Sequence, residues 1–186
     1  MESNIESSCP VCGNENSLKM IAHTTEIAYF GEHTQVTLLC SNCGLRQTDF
    51  IPAEDKTPGI WTLKISSSDD LDARVIRGSN CSVEIPELEL AVFPGTHSSG
   101  YVSNVEGVIN RFIEAIKISK NQFNEQENSE EYKKCDALLE SLDLTKKRSF
   151  TSELTLIFSD PMGHSKILHK KATFTELTKE EAEKLL

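Results

Sequence analysis

The sequence predicts a mainly β chain with a pair of α-helices inserted into it, preceded by a small unit organised by cysteines. Three observations carry this. Two matched Cys-x-x-Cys-Gly pairs lie in the first quarter of the chain, β-branched and alternating text fills most of the rest, and that text is interrupted once by apolar residues at helical spacing. The chain has 186 residues, 19 Lys and Arg against 29 Asp and Glu, a formal charge of −10 and 38% apolar residues, enough for an ordinary core. The acidic balance disfavours a general nucleic-acid binder and attraction to an anionic membrane, because both depend on Lys and Arg. No apolar run approaches the roughly 18 residues of a membrane span, and Met1–Ser8 has neither the basic nor the apolar region of a secretory signal. A soluble, cytoplasmic protein is expected.

The cysteines come first. Cys9-Pro10-Val11-Cys12-Gly13 and Cys40-Ser41-Asn42-Cys43-Gly44 are two knuckles, each able to point two sulfurs at one tetrahedral metal while the glycine supplies a permissive backbone. Two knuckles close a four-sulfur shell, so Cys9, Cys12, Cys40 and Cys43 are expected to hold one structural Zn2+ that does no chemistry. A redox Cys-x-x-Cys beside a βαβ pattern and a pair of disulfides in an oxidising compartment are the competing readings, and neither context is present. Residues 13–39 separate the knuckles, a longer insert than the usual 15–20 residues or so. Lys19 to Phe30 and His33 to Leu39 are strand-like around a turn expected at Gly31-Glu32, which describes a zinc ribbon with an extended β-hairpin arm. Residues 1–52 are assigned to this ribbon and 53–186 to a second, β-rich domain. Cys81 and Cys135 read as small core residues.

Lys56-Thr57-Pro58-Gly59 is turn text, and 59–65, 73–79 and 81–93 are strand-like, with Pro86 marking an edge, bulge or corner. Residues 93–101 read as loop. Val105, Val108, Ile109, Phe112, Ile113 and Ile116 then form a helical stripe, opened by a capping box from Ser103 to Glu106. A second stripe uses Tyr132, Cys135, Leu138, Leu139 and Leu142, with Asn128 and Glu131 as its box. The two make a helical hairpin inserted at about 104–144, with an acidic tip at Asn121–Glu131. Strands resume at Phe150–Ser159 and Ser165–Leu177, and Thr178 and Glu181 cap a short last helix.

Several segments together resemble the ZPR zinc-finger family: the two knuckles, the arm Ile27-Ala28-Tyr29-Phe30-Gly31-Glu32, Asp70 to Ile76, Ile85 to Leu90, Val105-Glu106-Gly107-Val108 and Asp160-Pro161-Met162-Gly163-His164-Ser165. They run in the family order over roughly residues 9 to 170. Ala28 stands where the family usually has Pro, Gly31 where it has a basic residue, Ser103-Asn104 where paired Thr is common, and His164 where Asn is usual. The resemblance implies that the β domain is a double-stranded β-helix, a jelly-roll-like barrel, and that the chain is a single-module, archaeal-type member. It also implies a partner, translation elongation factor 1-alpha, whose folding or biogenesis the family assists.

Candidate partner contacts are Tyr29, Phe30 and Glu32 at the arm tip, and Glu125 and Glu127 in the acidic tip of the helical hairpin. Each has a plainer reading: aromatics at a hairpin tip fold back on the protein about as often as they stand free, and a charge run is more often a solvated loop. Asp160-Pro161-Met162-Gly163 reads as a turn fixing a barrel corner, and Arg74 and Arg77 as structural partners for Glu87 or Glu89. Nucleotide-binding, hydrolase and metalloprotease motifs are missing, and the barrel histidines His97, His164 and His169 form no metal pair, so an enzyme is not expected. The alternative from another class is a nucleic-acid-associated zinc ribbon. It would need a basic face, for which Lys146-Lys147-Arg148 and Lys170-Lys171 are the only material, both outside the ribbon.

Overall fold

Extended, β-branched text on both sides of the first knuckle closes into an antiparallel sheet in the computed structural model, which describes residues 1–5, 7–54, 57–123, 129–150 and 153–186. Its strands are β1 (Glu2–Ile5), β2 (Leu18–Ile27), β3 (Gly31–Cys40) and β4 (Arg46–Pro52), in the spatial order β1-β2-β3-β4. The long hairpin β2–β3 is in register from Leu18 opposite Cys40 to Ile27 opposite Gly31, so each end of β3 is fixed, one by a metal-site cysteine and one by the turn. That turn is Ala28-Tyr29-Phe30, closed by the Phe30 N–H donating to the Ile27 carbonyl, and not Gly31-Glu32. Gly31 instead opens the returning strand with φ +81°, while Tyr29 takes the left-handed backbone at φ +73°.

The β-rich remainder contains a five-stranded and a three-stranded antiparallel sheet. In chain order its elements are β5 (Gly59–Ile65), α1 (Ser68–Leu71), β6 (Arg74–Arg77), β7 (Ser82–Ile85) and β8 (Leu90–Val92), then β9 (Tyr101–Asn104), α2 (Val105–Gln122) and α3 (Glu130–Lys146). β10 (Leu154–Asp160), β11 (Lys166–Leu168), β12 (Thr173–Glu176) and α4 (Lys179–Glu183) follow. The sheets are ordered β12-β5-β10-β7-β8 and β11-β6-β9. The strand-like stretch 59–93 therefore includes one helical turn, at α1. Pro86 starts a 3-10 turn, Pro86–Leu88, that makes the corner between β7 and β8, as a residue without an N–H should.

Alternation puts Leu63 and Ile65 of β5 and Leu154, Leu156 and Phe158 of β10 on one face, all essentially inaccessible to solvent. Onto them packs the stripe of α2, in which Val105, Val108, Ile109, Phe112, Ile113 and Ile116 are all buried. The second stripe is shallower. Leu142 is buried, while Cys135, Leu138 and Leu139 sit half-buried at the edge of the core. Cys81 is fully buried, and burial pushes its thiol up to about 12, which makes it inert as a nucleophile.

The caps differ by one residue from the sequence reading. Asn104, not Ser103, caps α2 by accepting from the Gly107 N–H, and Ser129, not Asn128, caps α3 by accepting from Tyr132. Asn128 lies outside the described residues. The box Thr178–Glu181 forms as expected.

β4 docks the ribbon sheet on the rest. Its Thr48 carbonyl accepts from the Gly100 N–H at 2.7 Å, and Gln47 Nε2 donates to the Ser98 carbonyl at 2.8 Å. Asp49 accepts from the Ser79 N–H at 2.8 Å through Oδ1 and faces His164 Nδ1 at 3.3 Å through Oδ2.

Candidate metal centre and the cleft at the arm tip

Each knuckle is a tight turn closed through its glycine: the Gly13 N–H donates to the Cys9 carbonyl at 2.9 Å and Gly44 to Cys40 at 3.0 Å. Both glycines have positive φ, +68° and +74°, where a side chain would be strained. The turns bring the four cysteine sulfurs within 4.8 Å of one another. Cys9 Sγ lies 3.8 Å from Cys43 Sγ, and Cys12 Sγ 3.8 Å from Cys40 Sγ. Four sulfurs about 2.3 Å from a central zinc would be separated by about 3.8 Å along each edge of the tetrahedron, whereas a disulfide needs about 2.0 Å. The donor set therefore fits one zinc ion.

The surroundings favour the thiolate, the form a metal binds, at Cys40 and Cys12. At Cys43 the Leu45 N–H is outweighed by burial and the neighbouring cysteine sulfurs, which push that thiol up to about 12. The Ser17 hydroxyl stands 3.2 Å from Cys40 Sγ, and this contact, with backbone N–H groups of the knuckle, lowers the Cys40 thiol to about 6. The Asn42 amide donates to Cys12 Sγ at 3.4 Å and heads the causes that lower that thiol. Zinc held by these four residues would cross-link the two knuckles and leave no coordination position for substrate.

At the far end of the hairpin, Tyr29 is 70% exposed, and the Arg74 guanidinium lies over its ring at 4.3 Å. The arm tip thus reaches β6, and Arg74 serves Tyr29, not Glu87 or Glu89. Arg77 is also elsewhere, donating to the Cys81 and Ser99 carbonyls and the Ser98 hydroxyl. Glu87 accepts from Thr155, and Glu89 pairs with Lys134 at 2.7 Å. Phe30 is half-buried and, with Glu32, lines a cleft of about 620 Å³ between arm and β domain. The opposite wall holds His164 and the pair Trp61–Phe174, whose rings are 4.9 Å apart. Tyr29, Phe30 and Glu32 thus cluster at one place, while Glu125 and Glu127 lie outside the described residues.

Asp160 is buried and does what a turn aspartate does. Its carboxylate accepts from the N–H groups of Met162, Gly163 and His164 at 2.8, 3.1 and 3.0 Å. Gly163, at φ +70°, lies so close to the Thr57 backbone that a Cβ would come within 2.6 Å of it. The turn aims His164 at Asp49, 115 residues away in sequence. Burial alone would raise the Asp49 carboxyl, but hydrogen bonds from His164 and Ser79 hold it below the usual range. Nothing local in the sequence marks Asp49, and this contact is one that sequence reasoning misses.

A ribbon whose four thiolates can hold zinc, carrying a long hairpin and docked on two antiparallel sheets with an inserted helical pair, defines a zinc-finger protein of the ribbon-and-jelly-roll class. Residues 69–185 match the ZPR1 jelly-roll domain, and the chain belongs to the ZPR1 family. It is 38% identical over 177 residues to a ZPR1-like protein of Methanocaldococcus jannaschii, covering 95% of this chain and 87% of the relative. A ZPR1-like protein of Pyrococcus horikoshii is 36% identical over 178 residues, covering 95% and 78%. The zinc finger chaperone zpr1 of Schizosaccharomyces pombe is 27% identical over 164 residues, which are 87% of this chain but 34% of that protein. Among the described residues no helix is long and apolar enough to cross a membrane.

Proposed function

We propose that this protein is a zinc-dependent, non-enzymatic binding protein of the cytoplasm that captures translation elongation factor 1-alpha, or its archaeal counterpart, and assists its folding or biogenesis. The observation that carries the reading is the arm-tip cleft. The half-buried Phe30 shares that cleft with Trp61 and Phe174, and the exposed Tyr29 adjoins Phe30 in the turn outside it, which offers aromatic anchors to a protein client. The metal's part is structural, since it fixes the base of the arm whose tip forms one wall. A relative named as a zinc finger chaperone supports the class of activity.

The test is capture of purified archaeal elongation factor by the zinc-loaded chain, by Cys40→Ser/Cys43→Ser and by Phe30→Ser. The zinc form should retain the factor and the double cysteine variant should lose it. Phe30→Ser should weaken capture by about tenfold or more at unchanged zinc content, the effect of losing one buried aromatic anchor. Equal capture by all three proteins would remove the proposal.

A further inference from the structure

A second cleft, of about 380 Å³, lies on the β6–β7–β9 side of the molecule beneath α2, away from the arm. Its apolar floor includes Val83, Val108 and Phe112, and no carboxylate lines it. Two guanidinium groups do. Arg111 lies over the Tyr101 ring at 3.9 Å and Arg77 stands 5.8 Å from the same ring. Arg77 is only 5% exposed, yet its hydrogen bonds go to neutral acceptors alone, the Cys81 and Ser99 carbonyls and the Ser98 hydroxyl. Neither arginine makes an ion pair with a described carboxylate, in a chain whose formal charge is −10. A buried cation such as Arg77 is normally paired, and with the exposed Arg111 beside the same ring over an apolar floor it leaves a site complementary to an anion.

The mouth of the cleft indicates what carries that anion. Val92 lines it and is 42% exposed, and Phe93 beside it is 70% exposed. Both lie on or next to β8, which ends the five-stranded sheet and is paired only with β7 among the described residues. An edge strand with an apolar rim suits an extended peptide, and the planar fork of Arg111 suits a carboxylate. We infer that this cleft binds an acidic peptide segment of a protein partner, with a carboxylate set between Arg77 and Arg111 and a neighbouring apolar side chain on the Val83–Phe112 floor. The site is separate from the arm-tip cleft and stands or falls independently of what that cleft holds.

The probes are N-acetyl-Phe-Glu-amide and its neutral isostere N-acetyl-Phe-Gln-amide, titrated into the zinc-loaded full chain and followed by NMR at backbone and arginine Nε–H resonances. The Glu peptide should shift Ser98, Tyr101 and Arg111 saturably and bind about tenfold more tightly than the Gln peptide. Arg111→Gln should abolish that preference while the zinc content and the β2–β4 resonances stay as they were, and Arg74→Gln should retain it. Equal affinities for the two peptides, no saturable shift at millimolar concentration, or a preference that survives Arg111→Gln would overturn the inference. Tighter binding of phenyl phosphate than of the Glu peptide would overturn the assignment to a carboxylate.

Discussion

The ribbon and the jelly roll reach a folded state by different means. Around the ribbon's ten-residue strands the buried apolar cluster among the described residues is Cys9, Leu18, Cys40 and Leu45, so half of that cluster is metal ligand. Among the described residues the jelly roll buries nineteen in one apolar cluster, from two sheets and three helices, with Phe158, Leu63 and Leu156 at its centre. A sheet so thinly covered gains little from burial and needs a cross-link, whereas the jelly roll meets the conformational cost with apolar area. The lesson is that one chain can place its stability in coordination chemistry at one end and in packing at the other.

The largest effect expected from this contrast is selective loss of the ribbon on metal removal. Structural zinc in such sites contributes on the order of 10–16 kcal/mol. Chelation, or Cys40→Ser/Cys43→Ser, should collapse the amide dispersion of β2, β3 and β4 while the amide signals of β5, β10 and α2 remain native-like. If the jelly-roll signals vanish with the ribbon, the two units share one core and the contrast is false.

The next effect lies inside the jelly roll. Asp70 is completely buried, accepts from the N–H groups of Ser66 and Ser67 at 3.0 and 2.9 Å, and pairs with Lys171 at 2.9 Å. Burial by itself would raise its carboxyl, but Lys171 and the serine donors outweigh that and hold it well below the usual carboxylate range. The sign follows from the lowered folded-state value. Asp70 contributes stability that is complete above the unfolded carboxyl value of about 3.9 and is lost as pH falls through its own lower value. Asp70→Asn should therefore cost about 3–5 kcal/mol at pH 7, and its deficit against the native chain should shrink below about pH 4. Urea unfolding followed at Trp61 at both pH values measures this. A deficit independent of pH would mean that shape, not charge, is what Asp70 supplies.

Local chemistry was readable in the sequence, and long-range contact was not. The knuckles, the α2 stripe, the Asp160–Gly163 turn and the Thr178–Glu181 box each depend on residues a few positions apart, and each forms. Glycine text points to Gly31-Glu32 as the apex of the arm, whereas the turn is Ala28-Tyr29-Phe30 and Gly31 supplies positive φ at the start of the returning strand. The partners of Arg74 and Arg77 were misassigned because charge suggested Glu87 and Glu89. The fold instead gives Arg74 an aromatic ring 45 residues upstream and gives Arg77 backbone carbonyls. Asp49 and His164, and the two arginines around Tyr101, meet only through tertiary topology, so no spacing could have announced them. The jelly-roll topology itself came from resemblance, since short strands alone fit several antiparallel folds.

The smallest effects sit at the joint between the two regions, where two contacts of unequal depth can be separated. Asp49→Ala leaves the Ser79 N–H and the ring of His164 without their partner, a cost of about 1–3 kcal/mol at a half-buried site. Arg74→Gln removes one cation over one exposed ring, about 0.5–1 kcal/mol. Asp49→Ala should lower the melting of the jelly roll and accelerate zinc release together, because Asp49 joins β4 to the turn that follows β6. Arg74→Gln should leave both nearly unchanged and speed hydrogen exchange at Phe30, whose N–H closes the turn. Tyr29 holds a left-handed backbone that costs on the order of 1–3 kcal/mol, and such strain persists only where the surroundings enforce it. Faster exchange in Arg74→Gln would show that docking on the jelly roll enforces it. Unchanged exchange would show that the turn holds Tyr29 unaided, and that the arm presents its aromatic tip without help from the domain beneath it.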